Sequence, residues 1–185
     1  MNEAKIGKRY AKALFDFALE QNDLEQVSKD IILVDNTIQQ NRELKKLLKN
    51  PVIHNKTKKS IVRAVFQKYA GEIVLNYLMI IVGKNRSQYI SDITTQFVLY
   101  YKKYQNIKTA HLSTAVQIND AIRKAIIQTL EEQTKANIEL KENINEDLIG
   151  GMILKLDNLE IDMSMRKRIN ELANRFTVNI YQGKL

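Results

Sequence analysis

Apolar residues recur at helical spacing through the first part of the chain. The apolar stripe of the first predicted helix comprises Ile6, Tyr10, Ala13, Leu14 and Phe17. A second helix follows the same spacing of three and four residues between Leu24 and Ile38. A short third helix ends near Asn50, because a residue that precedes proline disfavours helical geometry and Pro51 comes next.

Three further helices follow Pro51. The fourth begins at Asn55 or Thr57 and is expected to place Tyr69 on its buried side. The fifth, residues 72–83, is hydrophobic nearly all round, which is typical of a helix with neighbours on several sides. With a sixth helix from about 87 to 104, residues 1–105 are predicted to form a six-helix bundle.

The period of the apolar pattern changes from helical to alternating after Asn106. Alternation predicts strands at 110–116 and 138–140, with a helix between them. Two more strands flank Asp157-Asn158, which tolerate the left-handed backbone of a tight hairpin. Ser164 is a good N-cap for a final helix. The chain is therefore predicted to be mainly α, with an N-terminal six-helix bundle (1–105) followed by a small α/β domain (106–185).

Positive charge is concentrated in one window of the chain. The 185 residues include 29 Lys plus Arg and 21 Asp plus Glu, a net charge of +8. Residues 42–68 alone contain nine basic residues and one acidic residue. Clustered Lys and Arg are typical of phosphate contact, so a nucleic-acid or anion-binding module is an alternative function, but Phe66 is the window's only aromatic residue. The same lysines are also compatible with the solvated face of two helices.

Residues for catalysis or metal binding are sparse in the sequence. There is no cysteine, and neither His54 nor His111 has a partner at the i+3 or i+4 spacing of helical metal ligands. Gly150-Gly151 belongs to no phosphate-binding loop pattern and indicates close backbone packing instead. The longest uncharged apolar run, within 73–83, is too short to cross a bilayer. We therefore expect no enzymatic activity, no metal and no cofactor.

The first and fifth helices carry more apolar surface than one core-facing stripe requires. Ala4, Ala11, Phe15 and Ala18 widen the apolar arc of the first helix, and residues 72–83 have no clear polar face. Two interpretations remain open. The arcs either form a groove for a helix of another chain or line a deeper core.

Several motifs together resemble one known family over essentially the whole chain. They are Arg9–Phe15 (RYAKALF), Asn50-Pro51 with the lysines that follow, Lys84-Asn85-Arg86, Leu112–Ala115 (LSTA), Ile144–Lys155 (INEDLIGGMILK) and Ile161–Ser164 (IDMS). Their order and spacing are similar to those of the delta subunit of rotary ATP synthases, called the oligomycin-sensitivity-conferring protein in mitochondria. One departure is Asp157-Asn158, where the family usually has Gly-Asp.

The resemblance implies a stator subunit without catalysis of its own, which resists rotor torque. Domain 1–105 would bind the N-terminal helices of alpha subunits on the catalytic head, and domain 106–185 the C-terminal end of the b-type peripheral stalk. No nucleic acid is implied, and membrane contact is only indirect, through the complex. With no import peptide visible, the expected location is the cytoplasmic face of a bacterial inner membrane. The implied alpha-facing residues are Ala4, Ala11, Leu14, Phe15 and Ala18 of the first helix and Ile73, Tyr77, Ile80 and Ile81 of the fifth.

Overall fold

A computed structural model describes the backbone of residues 3–178 and the side chains of residues 5–174. The chain divides into two units, Met1–Tyr104 and Gln105–Leu185. The first unit is helical, and its elements are α1 (Glu3–Glu20), α2 (Leu24–Gln40), α3 (Arg42–Lys49), α4 (Asn55–Phe66), α5 (Glu72–Gly83), a 3₁₀ turn (Ser87–Tyr89) and α6 (Ile90–Tyr104). The predicted six helices are confirmed.

Side-chain caps and breakers set the ends of these helices. The Asn41 side chain accepts a hydrogen bond from the Leu44 amide at 3.0 Å and so begins α3. The helix ends at Lys49, two residues before Pro51. At the start of α5, the buried carboxylate of Asp30 accepts from the Gly71 amide at 2.7 Å, which ties α5 to α2.

The core of the helical unit is continuous and almost wholly aliphatic. All six helices contribute to it, and the largest fully buried side chains include Phe66, Phe97, Ile31, Ile38, Leu78 and Ile81. Tyr69, expected on the buried side of the fourth helix, is 66% exposed. The reason is that α4 already ends at Phe66, so the chain has left the helical path before Tyr69.

The second unit is a mixed sheet with helices. Its elements are β1 (Ile107–Thr114), α7 (Asp120–Thr134), β2 (Asn137–Ile144), a 3₁₀ turn (Glu146–Leu148), β3 (Met152–Leu156), β4 (Leu159–Asp162) and α8 (Met165–Val178). The strand order is β2-β1-β3-β4, with β1 parallel to β2 through the α7 crossover and the other pairs antiparallel. The mainly helical fold with one small sheet confirms the predicted class.

Buried residues from β1, β3 and α7 form the core of this unit. Leu112 of β1 pairs with Leu154 of β3, and Ala110 pairs with Leu156, so the alternating pattern directs these side chains to one face. Leu130 of α7 joins the same cluster. The period-two pattern of the sequence thus identified the face of β1 that is buried.

Two tight backbone positions shape the second unit. Asp157 adopts φ 51° in the two-residue turn between β3 and β4, a conformation that Asp tolerates. Gly151 adopts φ 78°, and a Cβ there would lie 2.3 Å from the Met163 carbonyl oxygen. Only glycine fits that close approach, which confirms the packing role predicted for the glycine pair.

Candidate functional site

An open apolar groove lies between α1 and α5. Its volume is about 480 Å³, and it is lined by Ala13, Leu14 and Phe17 from α1 and by Glu72, Ile73, Asn76, Tyr77 and Ile80 from α5. The lining positions recur every three or four residues on both helices. The groove therefore runs along the two helices and has the shape of a site for an extended apolar partner.

The sequence of α1 makes it apolar on two faces. Ala11 and Ala18 are fully buried in the core, where small side chains allow neighbouring helices to approach. Phe15 turns toward α6, and its ring makes edge contacts with Phe97 at 6.0 Å and Tyr104 at 5.6 Å between centroids. Phe17 lies on the groove side and is 46% exposed.

The all-round hydrophobicity of α5 has the same origin. Ile81 belongs to the face that is fully buried in the core. Ile73 and Tyr77 are half-buried on the groove side, and Ile80 is 54% exposed there. The helix thus supplies both core and groove, which explains why no polar face is visible in residues 72–83.

One hydrogen bond joins the two walls of the groove. The Tyr77 hydroxyl donates to the Tyr10 carbonyl oxygen of α1 at 2.9 Å. Burial raises the pKa of Tyr77 well above its ordinary value, so the phenol remains a donor across the physiological range. The Tyr10 ring also carries the guanidinium groups of Arg86 and Arg9, at 5.1 and 5.9 Å from its centroid. The hydrogen bond from Tyr77 to Tyr10 fixes the spacing of α1 and α5.

The nine residues implied by the family resemblance divide into four groups. Four of them line the groove: Leu14, Ile73, Tyr77 and Ile80. Three are in the core and are not accessible at the groove surface: Ala11, Ala18 and Ile81. Phe15 packs against α6, and the side chain of Ala4 lies outside the described residues.

Sequence reasoning missed the groove role of Ala13 and Phe17. They were assigned to the core-facing stripe of the first helix, whereas the structure leaves both exposed. The face of α1 that carries Ala11 and Phe15 was expected to be the extra apolar surface, but it is the face that packs against α6 and the core. The groove is lined instead by residues of the stripe that was expected to face the core. Glu72 and Asn76, the polar groups of the lining, carried no distinguishing signal in the sequence.

A second set of exposed apolar residues lies on the C-terminal unit. They are Ile149, Leu159, Ile161, Met163, Met165, Ile169 and Leu172, each at least 40% exposed. Ile149 is held at φ 63°, a conformation that is strained for a β-branched residue. It lies next to Gly150, where an added Cβ would come within 3.1 Å of the Met165 side chain.

The histidines and acidic residues do not assemble into a reactive centre. Both His54 and His111 are exposed, one before α4 and one in β1. Across the described residues, no group of three or more His, Cys, Asp or Glu side chains is arranged to hold a metal ion. Asp162 and Ser164 serve the backbone: Asp162 accepts from the Ser164 amide, and Ser164 accepts from the Lys167 amide. The bond from Lys167 confirms the N-cap role predicted for Ser164.

The basic window 42–68 lacks an exposed aromatic ring, because Phe66 is only 1% exposed. A stacking platform for unpaired bases is therefore absent from the window. No helix in the described part of the chain is both long and apolar enough to span a bilayer.

The described chain thus combines a helical bundle that carries an open apolar groove with a small α/β unit. The family model described as ATP synthase delta (OSCP) subunit matches residues 6–176. The chain belongs to this family, as its motifs predicted, and is a non-catalytic stator subunit of an ATP synthase.

Individual relatives agree with the family match. The chain is 29% identical to the ATP synthase subunit delta of Christiangramia forsetii over 185 residues, which covers all of both proteins. It is 32% identical over 169 residues to the chloroplastic ATP synthase subunit delta of Galdieria sulphuraria, covering 91% of this chain and 96% of that protein. Its fold is shared with a chain of the cryo-EM structure of the Toxoplasma gondii mitochondrial ATP synthase hexamer, with a TM-score of 0.69 and 22% identity over 92% of this chain and 97% of that one.

Proposed function

We propose that the groove between α1 and α5 receives an amphipathic helix from the N-terminus of an ATP synthase alpha subunit. The observation that carries this proposal is the pair of half-exposed apolar side chains, Phe17 and Ile80, on opposite walls of the groove. Apolar residues at positions i, i+3, i+4 and i+7 of a docked helix would bury them. Family membership supports an ATP synthase subunit as the partner, and the alpha subunit implied by the sequence resemblance is the one to test.

The walls of the groove are preorganised, which favours tight docking. The Tyr77 hydroxyl donates to the backbone of α1, and the Asp30 carboxylate accepts from the amide of Gly71, the N-cap residue of α5, so both helices are held in position. Binding then requires little reordering of this subunit, and less of the interaction energy is lost to conformational entropy.

The C-terminal unit is proposed to bind the end of the b-type peripheral stalk. This assignment is supported by its exposed apolar residues on β4 and α8 and by the strained, 70% exposed Ile149. Backbone strain of this kind persists only where the surrounding structure enforces it, and it is concentrated at sites of binding and catalysis.

Two attachment points suit a stator. Rotor torque would turn the catalytic head unless a stalk holds it, so each joint must dissociate slowly and therefore needs a buried interface. Linking two weaker contacts in one chain raises the effective concentration at each of them. The subunit would work at the cytoplasmic face of a bacterial inner membrane, a location supported by its bacterial relatives.

Calorimetric titration tests the groove directly. A peptide of the first 25 or so residues of the alpha subunit from the same organism is titrated into the full chain. Saturable binding with a negative heat-capacity change is expected, because apolar surface is buried. Absence of binding at tens of micromolar would rule out the groove. A C-terminal peptide of the b-type subunit tests the second site in the same way, and binding of each peptide in the presence of the other is expected.

A further inference from the structure

A second cavity, separate from the groove, lies where the loop before α4 meets the turn before α6. Its volume is about 740 Å³, and it is lined by Lys49, Pro51, Ile53, His54, Asn55, Lys56, Thr57, Lys58, Asn85, Ser87 and Gln88. The volume is within the range of small-molecule sites. Two segments that are distant in sequence, 49–58 and 85–88, therefore line one space.

The described lining of this cavity is cationic. It includes Lys49, Lys56 and Lys58, and none of the lining residues is acidic. Clustered ammonium groups repel one another, but an anion that lies between them offsets this repulsion because it attracts each of them. The cavity thus contains three of the nine basic residues in the 42–68 window. The sequence alone was compatible with either a solvated surface or an anion-binding role for these residues.

Lys58 is the unusual member of the set, because its charge is buried without a counter-charge. The residue is only 4% exposed, and its ammonium donates to the Leu48 carbonyl at 3.1 Å and to the Ser87 hydroxyl at 2.8 Å. Both acceptors are neutral, and no described carboxylate forms an ion pair with it. Buried charges in proteins are normally paired, and here burial lowers the pKa of Lys58.

The N-terminus of α4 faces the same space with uncompensated donors. His54 is the N-cap residue and makes no side-chain capping bond, and the first turn contains no acidic residue. Asn55, Lys56 and Thr57, the first three residues of this 12-residue helix, all line the cavity. Their amides lack intrahelical acceptors, and the helix dipole makes this end positive.

We propose that the cavity binds a phosphate group, held between the first-turn amides of α4 and the ammonium groups of Lys49, Lys56 and Lys58. The anion supplies the counter-charge that the Lys58 ammonium lacks and the hydrogen-bond acceptors that the helix N-terminus lacks. No Phe, Tyr or Trp is among the described lining residues, so the cavity has no large ring on which a nucleobase could stack. The recognised chemistry is the phosphate itself, either as the free ion or as part of a small phosphate ester.

Occupancy would connect three parts of the helical unit. The ligand bridges the end of α3, the start of α4 and the turn around Asn85, which already bonds to Asn55 at 2.5 Å through their side-chain amides. A ligand that binds only the folded state stabilises it in proportion to the logarithm of its concentration. This site shares no lining residue with the groove, so its failure or success is independent of alpha-subunit docking.

Phosphate titration of the full chain at constant ionic strength, balanced with chloride, tests the site. The melting temperature is expected to rise with phosphate and not with chloride, and calorimetry is expected to show one saturable site per chain. A rise that chloride reproduces, or heat that shows no saturation, would overturn the proposal. AMP provides the second arm: equal affinity for AMP and phosphate indicates the free ion, and AMP at least tenfold tighter indicates an ester.

Charge-matched variants separate a built site from general surface attraction. Lys49→Gln with Lys56→Gln removes two cavity lysines, whereas Lys46→Gln with Lys68→Gln removes two exposed lysines of the same window that do not line the cavity. The first pair is expected to weaken phosphate binding by about tenfold or more, and the second pair by less than about twofold. Equal weakening by both pairs would overturn the site. Lys58→Met should abolish phosphate binding. If that variant fails to fold, the comparison of the Lys49/Lys56 pair with the Lys46/Lys68 pair still decides the test.

Discussion

The groove makes its strongest prediction at Phe17 and Ile80. They lie on opposite walls, and each is about half exposed, at 46% and 54%. Replacing both with alanine removes the apolar surface that a docked helix would cover, while the polar lining stays unchanged. We expect the double variant to bind the alpha-subunit peptide much more weakly than the natural chain.

The magnitude follows from the exposed fractions. Full burial of one large apolar side chain is worth about 1.5–3 kcal/mol. The exposed halves of Phe17 and Ile80 together equal about one such side chain, so the loss is expected to be about 1.5–3 kcal/mol. That corresponds to a rise in Kd of about tenfold to 150-fold.

Leu99→Ala is the matched control for this experiment. Leu99 is also 54% exposed and belongs to the same helical unit, on α6, but it does not line the groove. Calorimetry with the same peptide should give an unchanged Kd for this variant, and urea unfolding should show comparable small stability losses for each truncation. If Leu99→Ala weakened binding as much as the double variant, the docking site would have to be sought elsewhere.

Three predictions concern the C-terminal unit. Ile149→Gly should relieve the backbone strain at φ 63° and stabilise the unit by up to about 1 kcal/mol in urea unfolding. The same variant should bind the b-type peptide more weakly, because the exposed Ile149 side chain is removed. Tighter binding would contradict a contact between Ile149 and the peptide. Gly151→Ala should destabilise the unit by about 1–3 kcal/mol in the same assay, since its Cβ would meet the Met163 carbonyl; an unchanged midpoint would contradict this. Hydrogen bonds from Ser164 hold the pKa of Asp162 below its ordinary 3.8, so its stabilisation is complete above that pH and is lost as pH falls through the folded value. Asp162→Asn should therefore lose less stability than the natural chain between pH 5 and pH 2, measured by urea unfolding; identical pH profiles would contradict the role of this carboxylate.

The helices and strands were predictable because their signals are local. Asn41 caps the helix that follows it, Pro51 closes the previous one, and alternation in β1 identifies its buried face through Ala110 and Leu112. Each of these effects acts within a few residues of its cause. The small sheet also follows from a strand, helix, strand pattern with a short hairpin after it.

The exposed end of a helix was harder to place than its interior. Tyr69 was expected on the buried side of the fourth helix, yet it is 66% exposed because α4 ends at Phe66. The apolar spacing continues past Phe66 although the helix does not, so the spacing alone does not show where α4 ends.

The functional surfaces depended on the third dimension for the same reason. The sequence alone determined that α1 and α5 are more apolar than one core face requires, that positive charge is concentrated in residues 42–68, and which family the motifs resemble. Only the tertiary structure decided that α6 covers Ala11 and Phe15 and leaves Phe17 to the groove, and that Lys58 is buried beside Ser87. An apolar arc or a lysine has the same local pattern on a covered and an uncovered face, and packing between distant segments selects which face a partner can reach.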